Sequence, residues 1–303
     1  MKLLSYFSGK ELRSGILINN QVFDISQTAS KFDIELPSDL KKILELEKGI
    51  ELVRKIFNKI IREKITGIPL SEIKLGPPVL KPGKILALAG NYQSHLKEGG
   101  KEIIDAGNST PRVFIKPVTC INHHEGAIRI PKRSNKIDYE IELGVVIGKR
   151  CRYVKEREAL KFVAGYLVFN DISARKLIIQ ENRLPREGDK WFDWLNGKWF
   201  DTFAPIGPYL VTVDEIDDPQ NLNMKLWVNG ELRQDGNTGQ MIFTVAQIIQ
   251  WIAEFMTLEP GDIIATGTTA GVGMTTSTFL KPGDVIEAEI EKIGRLKNIV
   301  AEE

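Results

Sequence analysis

Residues 138–147 read D-Y-E-I-E-L-G-V-V-I, and this stretch decides the fold. Its alternation, its β-branched end and the polar G-K-R that follows at 148–150 are the pattern of a strand. In a strand, residues two apart share a face. Glu140 and Glu142 therefore point together, while Tyr139, Ile141 and Leu143 point the other way. Two carboxylates side by side on a largely apolar strand repel each other, and burial without a partner is costly, so they need a cation or a shared proton. The alternative is that this face meets water and both glutamates are solvated, the ordinary state of a carboxylate. Downstream, residues 163–171 read V-A-G-Y-L-V-F-N-D, an apolar strand that stops at Asn170-Asp171. Asp171 would complete an all-oxygen set suited to Mg²⁺, Mn²⁺ or Ca²⁺ rather than to a thiol-seeking metal.

The chain has 303 residues, room for one large domain or a small one joined to a large one. Its 41 basic and 40 acidic side chains nearly cancel, so no general field draws it to nucleic acid or to an anionic membrane. Cys120 and Cys151 are isolated, with no C-x-x-C pair and no disulfide framework, which sets a reducing cytoplasm as the expected location. No stretch approaches the roughly 18 apolar residues of a membrane span, and the apolar patch at the N-terminus is too short for a signal peptide.

Residues 1–76 read as a small α+β unit and 77–303 as the larger, chemistry-bearing one. In the first, 3–7 and 16–23 read as strands with a turn at Asn19-Asn20. Two helices follow, over 39–47 with Ser38 as cap and over 51–64. Ile50, Val53, Ile56, Phe57, Ile60 and Ile61 make the apolar stripe of the second. Pro77-Pro78 marks the boundary. Beyond it, Pro82-Gly83, Pro260-Gly261 and Pro282-Gly283 each precede an apolar strand and predict type II turns. Asn229-Gly230 predicts a hairpin. Helices are expected only over about 155–163 and 245–256, the latter with a Thr244/Gln247 capping box. Many strands with few crossover helices exclude a doubly wound sheet and leave an α+β or mainly-β domain.

His95 and Glu98 in A-G-N-Y-Q-S-H-L-K-E are three apart, neighbours on a helix, where the carboxylate can orient the imidazole as a base that activates water. The competing reading is an incidental pair on a surface turn. Adjacent His123 and His124 cannot both face one metal from a strand and are expected in a loop, lining an entrance. T-G-T-T-A-G-V-G at 266–273 lacks the ending of a phosphate loop. It is either a backbone cradle for an anion such as a carboxylate or a plain tight turn. The stretch K-W-F-D-W-L-N-G-K-W-F-D-T-F holds three of the five tryptophans. Without a basic patch it suits a flap over a site or subunit packing better than a nucleic-acid platform.

Taken together and in order, these motifs resemble the fumarylacetoacetate hydrolase family over about residues 80–300. G-N-Y-Q-S-H-L-K-E is similar to the family's N-Y-x-x-H-x-x-E, and F-I-K-P at 114–117 to its F-x-K-P. D-Y-E-I-E-L-G-V-V-I-G resembles its metal strand, and F-N-D-I-S-A-R its third ligand and substrate arginine. G-K-W-F-D-T-F-A-P-I-G-P, M-I-F, L-E-P-G-D-I-I-A-T-G-T and A-G-V-G complete the set. The resemblance implies a mixed β-roll-like α+β domain in which Glu140, Glu142 and Asp171 hold Mg²⁺ or Mn²⁺ against a 2-oxo acid. It implies His95 and Glu98 as the base pair, Lys198 as added positive charge, and Tyr92, Arg175 and Thr268 as substrate contacts. It also implies a homodimer with a small-molecule substrate, and an enzyme that hydrolyses acylpyruvates, decarboxylates oxaloacetate or isomerises unsaturated oxo acids. The His–Glu pair favours hydrolysis, because it supplies a water-activating base, and tells against a protein that merely binds a 2-oxo acid. Three departures bear on substrate. Lys176 and Ile178 stand where the family pattern has aspartate and glutamine, with Gln180 as a compensating residue. Thr269 replaces a proline, and the 176–197 segment is long, as a modified lid would be.

Overall fold

Strand Ile141–Ile147 is buried on both faces, which is why its sequence reads as nearly continuous apolar. The computed structural model describes residues 1–100, 102–180 and 182–303. On one face of the strand, Ile141, Leu143, Val145 and Ile147 enter a core that includes helix Val245–Phe255. On the other, Val146 joins a second core with Leu167, Phe169 and Ala265. Glu142 lies four residues before Val146 and so shares its face. The two glutamates occupy the end of a buried apolar face, not a wet one.

This strand sits inside a 12-stranded mixed sheet. It pairs antiparallel with Val163–Asn170, Ile141 opposite Asn170, and with Ile263–Thr268, Glu142 opposite Thr268. Ile263–Thr268 runs parallel to Ile85–Leu88, which pairs with Val113–Lys116. A second, five-stranded sheet contains the Asn229-Gly230 hairpin and the strands Val285–Ile290 and Gly294–Glu302. Both turn residues there have positive φ, 52° and 78°, as the expected hairpin demands. The architecture is α+β with strands in mixed sheets.

The first 76 residues continue the main sheet. Strand Lys2–Ser8 pairs antiparallel with Ala204–Thr212, and Leu3, Ile16, Ile25, Val53, Ile56 and Ile60 share a core with Val146 and Phe169. Helix Leu40–Glu45 is capped by Asp39 rather than Ser38, because the Asp39 carboxylate accepts from the Lys41 and Lys42 amides. In helix Gly49–Glu63, Val53, Ile56 and Ile60 are buried, but Ile61 is 54 % exposed and leaves the expected stripe. The helix expected over 155–163 is only Glu156–Ala159 with a 3₁₀ turn, since β-branched Val163 already belongs to a strand. Helix Val245–Phe255 carries the expected capping box. Two of the Pro-Gly turns have positive-φ glycines, Gly261 and Gly283. Gly83 does not; a Cβ there would lie 2.6 Å from Asp262 Oδ1, which accepts from the Lys84 amide, so that glycine supplies space rather than φ.

Asp24 ties this region together. Its carboxylate accepts from Tyr6 Oη, Arg13 Nε and the Gln27 amide at 2.6, 2.6 and 2.7 Å. Burial works to raise its pKa, but Arg13, the Gln27 amide and Tyr6 outweigh that and hold it below the ordinary 3.8. Asp24→Ala is expected to lower stability by about 2–4 kcal/mol, from a broken part-buried pair and a lost cap. A carboxyl held low stabilises the fold above its unfolded pKa, and the gain disappears as pH falls through the folded one. Urea midpoints of wild type and variant should therefore converge on acidification below about pH 4.

Among the described residues, no helix is long and apolar enough to cross a membrane.

Candidate active site

Glu140 precedes its strand by one residue, yet the ladder continues through it. Its amide donates to Asn170 Oδ1 at 3.0 Å and its carbonyl accepts from the Asp171 amide at 2.9 Å. This zipping of two strand ends sets Asp171 beside the glutamates. One oxygen from each of Glu140, Glu142 and Asp171 lies within 4.8 Å of the others, and all three residues are buried. Lys198 Nζ donates to Glu140 Oε2 at 2.8 Å and to Asp171 Oδ2 at 2.6 Å. Lys116 Nζ donates to Asp171 Oδ1 at 2.5 Å. Arg175 donates to Glu140, and through Nε to Asp138 Oδ2 at 3.0 Å.

The three cations serve Glu140, Asp171 and Asp138 and miss Glu142. Among the described residues, Glu142 Oε2 accepts only from the Gly267 amide, at 2.7 Å, and Oε1 is buried with no partner. Burial would raise the Glu140 carboxyl, but Lys198, Arg175 and His95 hold it at about 2. Burial also raises Glu142, and here Asp171 and Glu140 push the same way, so its carboxyl lies well above the ordinary value. A buried orphan oxygen facing two more carboxylates fits a divalent cation with oxygen ligands. Glu140, Glu142 and Asp171 would hold it.

His95 and Glu98 lie on the short helix Gln93–Glu98, their Nδ1 and Oε1 2.8 Å apart. Glu98 Oε2 accepts from the Gly271 amide at 2.8 Å and from Thr275 Oγ1 at 2.9 Å. Burial works to raise the Glu98 carboxyl; His95, the Gly271 amide and Thr275 together hold it below its ordinary value, so it is ionised at neutral pH. The amides of the glycine-rich segment thus do cradle anions, but these are the protein's own carboxylates: Glu142 at Gly267, Glu98 at Gly271 and Asp138 at Gly273.

His95, Glu140, Glu142, Arg175, Lys198 and Thr268 line one cavity of about 1470 Å³. Thr268 Oγ1 donates to the Ile141 carbonyl at 2.7 Å and accepts from Gln234 Nε2 at 2.9 Å. Tyr92 is placed differently from the wall position its motif implies. It is fully buried, its hydroxyl has no partner among the described residues, and both burial and Glu142 push its phenol well above the usual value. It is not part of the cavity wall. The tryptophan-rich stretch supplies helix Asp189–Asn196, where Trp191 stacks on Trp194 at 4.9 Å and both line the cavity, as a flap would. Lys176 lines the rim, whereas Ile178 is 58 % exposed and, like Gln180, lies outside the wall. The histidine pair lines no entrance. His123 packs edge-on against Phe7, and His124 Nδ1 accepts from the Lys297 amide at 3.1 Å.

Sequence reasoning missed Lys116, Asp138 and Asn91. Lys116 sat in the quoted F-I-K-P, and a lysine inside an apolar strand was its signal. Asn91 is held by both carbonyls it donates to, those of Phe243 and Thr266, and by the Phe243 amide it accepts.

The model of the fumarylacetoacetate (FAA) hydrolase C-terminal family matches residues 84–301. A 2,4-didehydro-3-deoxy-L-rhamnonate hydrolase of Sphingomonas sp. (strain SKA58) is 43% identical over 78% of this chain and 81% of its own. A mitochondrial oxaloacetate tautomerase of Bos taurus is 39% identical over 89% of this chain and 82% of its own. Among solved structures, a maleylpyruvate hydrolase from Sphingobium sp. SYK-6, in complex with manganese (II) ion and pyruvate, superposes with TM-score 0.77 at 29% identity over 100% of this chain and 99% of its own. With its motifs in order, its fold matched and its model spanning most of the sequence, the chain belongs to the fumarylacetoacetate hydrolase family, whose members include hydrolases, isomerases and tautomerases.

Proposed function

We propose that this protein hydrolyses a C–C bond in an acylpyruvate-type 2-oxo acid, with Mg²⁺ or Mn²⁺ on Glu140, Glu142 and Asp171. The observation that carries the reading is His95, paired with Glu98, opening onto the same cavity as Glu140 and Glu142. A divalent ion there would supply Lewis-acid charge to the oxygen of a developing enolate.

The chain's own residues do the rest. With Nδ1 engaged by Glu98, His95 has Nε2 left to take a proton from water. The hydroxide oxygen bonds to the distal ketone carbon of the substrate. The C–C bond then breaks and its electron pair passes to the pyruvyl fragment. Protonation of that fragment from His95 gives pyruvate and a carboxylic acid. Lys198 and Arg175 add fixed positive charge beside the reacting oxygens, and Trp191 and Trp194 shield them from bulk water.

A panel of acetylpyruvate, fumarylpyruvate, oxaloacetate and a 2-hydroxy-dienedioate, each with Mn²⁺ or Mg²⁺, tests the reading. Pyruvate plus an acid is the expected product. Proton shuttling without cleavage is the second reading, favoured by the likeness to an oxaloacetate tautomerase. Exchange or double-bond shift with no cleavage of any acylpyruvate would replace the first reading with the second. No turnover of any 2-oxo acid above the metal-only background would leave a binding protein.

Three cations without ion-pair partners among the described residues, Arg112, Lys176 and Lys190, also line the cavity. They suit a substrate with a second carboxylate at its far end. Lys176→Glu is expected to lower kcat/KM for fumarylpyruvate about 2- to 5-fold, as an exposed charge pair is worth about 0.5–1 kcal/mol, with a smaller effect on acetylpyruvate. Equal losses on both substrates would remove Lys176 from substrate choice.

A further inference from the structure

The base pair and the carboxylate group come from distant parts of the chain, yet one five-residue segment, 271–275, which opens the short helix Gly273–Thr276, touches Glu98 directly and reaches Glu140 through Asp138 and Arg175. At the two ends of 271–275, the Gly271 amide and the Thr275 hydroxyl donate to Glu98 at 2.8 and 2.9 Å. Between them, the Gly273 and Met274 amides donate to the two oxygens of Asp138, at 2.6 and 3.1 Å. Asp138 is buried, and it also accepts from its neighbour's amide at Tyr139 and from Arg175 Nε, whose guanidinium reaches Glu140. Glycine is required at both anchoring points. Gly271 has φ +99°, and a Cβ there would fall 2.0 Å from the Arg233 carbonyl; a Cβ on Gly273 would fall 2.4 Å from the Thr278 carbonyl. The segment therefore has little freedom to give.

We propose that this segment is a rigid joint that fixes the spacing between His95–Glu98 and the Glu140–Arg175 side of the cavity, and that Asp138 is its positioning residue. The proposal rests on the hydrolytic reading for its kinetic consequence and on geometry alone for the joint itself. Asp138 does not line the cavity, so it acts through Arg175 and the segment. Four N–H donors converge on its two oxygens. Asparagine has one acceptor oxygen and an NH₂ in place of the other, so Asp138→Asn sets donor against donor in a buried place without changing its shape. Small displacements of a base from its target cost as much as 10²-fold in rate.

The experiment pairs Asp138→Asn with Glu98→Gln, singly and together, in the full chain at saturating Mn²⁺. Asp138→Asn should lower kcat about 10- to 100-fold with a smaller change in KM. The double variant should be little worse than the poorer single, because both substitutions release the same joint. Two losses that multiply would overturn the proposal, as would an Asp138→Asn kcat within about twofold of wild type, the size of an ordinary surface substitution. Saturating metal separates this from a loss of ion affinity, which calorimetry with Mn²⁺ reads directly. A substrate-free arm measures amide hydrogen exchange. Glu98→Gln should speed exchange at Gly273 and Met274, which it does not touch, and Asp138→Asn should speed it at Gly271. Changes confined to each residue's own amides would show that the segment transmits nothing. If wild type cleaves no acylpyruvate, the hydrolytic reading fails, and the exchange arm still decides the joint. The Glu98→Gln half also decides it if Asp138→Asn does not fold.

Discussion

Glu142→Gln is expected to abolish divalent-ion binding and turnover together. Glu142 is the carboxylate of the three that no side-chain cation among the described residues contacts; its Oε1 is buried without a partner among them, and its charge is opposed by burial, Asp171 and Glu140. In the ion-free protein its ionisation is a cost, so the amide should leave the fold at least as stable, with a thermal midpoint equal to or above that of wild type. The same amide removes the anionic donor that an ion needs most. Activity should fall by at least about 10³-fold, the scale of losing the main electrostatic stabiliser of a transition state. Because the Glu142 carboxyl is held high, an ion that binds there displaces a proton. Mn²⁺ affinity should therefore weaken as pH falls, with proton release visible as a dependence of binding heat on buffer. Unchanged Mn²⁺ affinity in the variant would remove Glu142 from the site.

His95→Ala should have the opposite signature: ion binding kept, hydrolysis lost by about 10²- to 10⁴-fold, the usual contribution of a positioned base. Its imidazole is one-fifth exposed, with 21% of the side chain accessible, and Glu98 remains tied to Gly271 and Thr275 without it. The fold should therefore be unaffected. Loss of CO₂ from oxaloacetate needs no attacking water and could survive in this variant. Full acylpyruvate cleavage by the variant would exclude His95 from the reaction, and calorimetry with Mn²⁺ distinguishes a lost base from a disturbed carboxylate group.

What could be read from the sequence was what strand and turn periodicity encode. Glu140 and Glu142 share a face because of a two-residue repeat, and Asp171 ends a strand whose apolar run is unbroken. The hairpin at Asn229-Gly230 and the Thr244/Gln247 box are local chemistry, legible wherever they occur. Residue spacing alone did not show the partners of the carboxylates: Lys198 and Arg175 entered through the family resemblance, as substrate-side groups, and Lys116 not at all. Lys116, Lys198 and Arg175 are brought to them by pairings between segments tens of residues apart, and a buried lysine looks like an exposed one in a string of letters. Asp138 shows the same limit. Its importance comes from four converging donors, two of them at the start of a short helix some 135 residues downstream. Ser38 against Asp39 and the early end of the 155–163 helix were misplaced by a residue or several, because capping and strand entry are settled by tertiary pairing.

The continuity of the main sheet bears on how the chain can be divided. The family model begins at residue 84, and the Pro77-Pro78 stretch invites a cut there. Such a cut would strip Lys2–Ser8 from Ala204–Thr212 and leave a row of unpaired N–H and C=O groups on an apolar ribbon. An edge of that kind recruits other chains and seeds aggregation. It would also open the core behind Phe169 and Val146, on the face where Glu142 stands. The opening segment is thus an edge guard for the chemistry it never touches, and the two should melt as one cooperative unit.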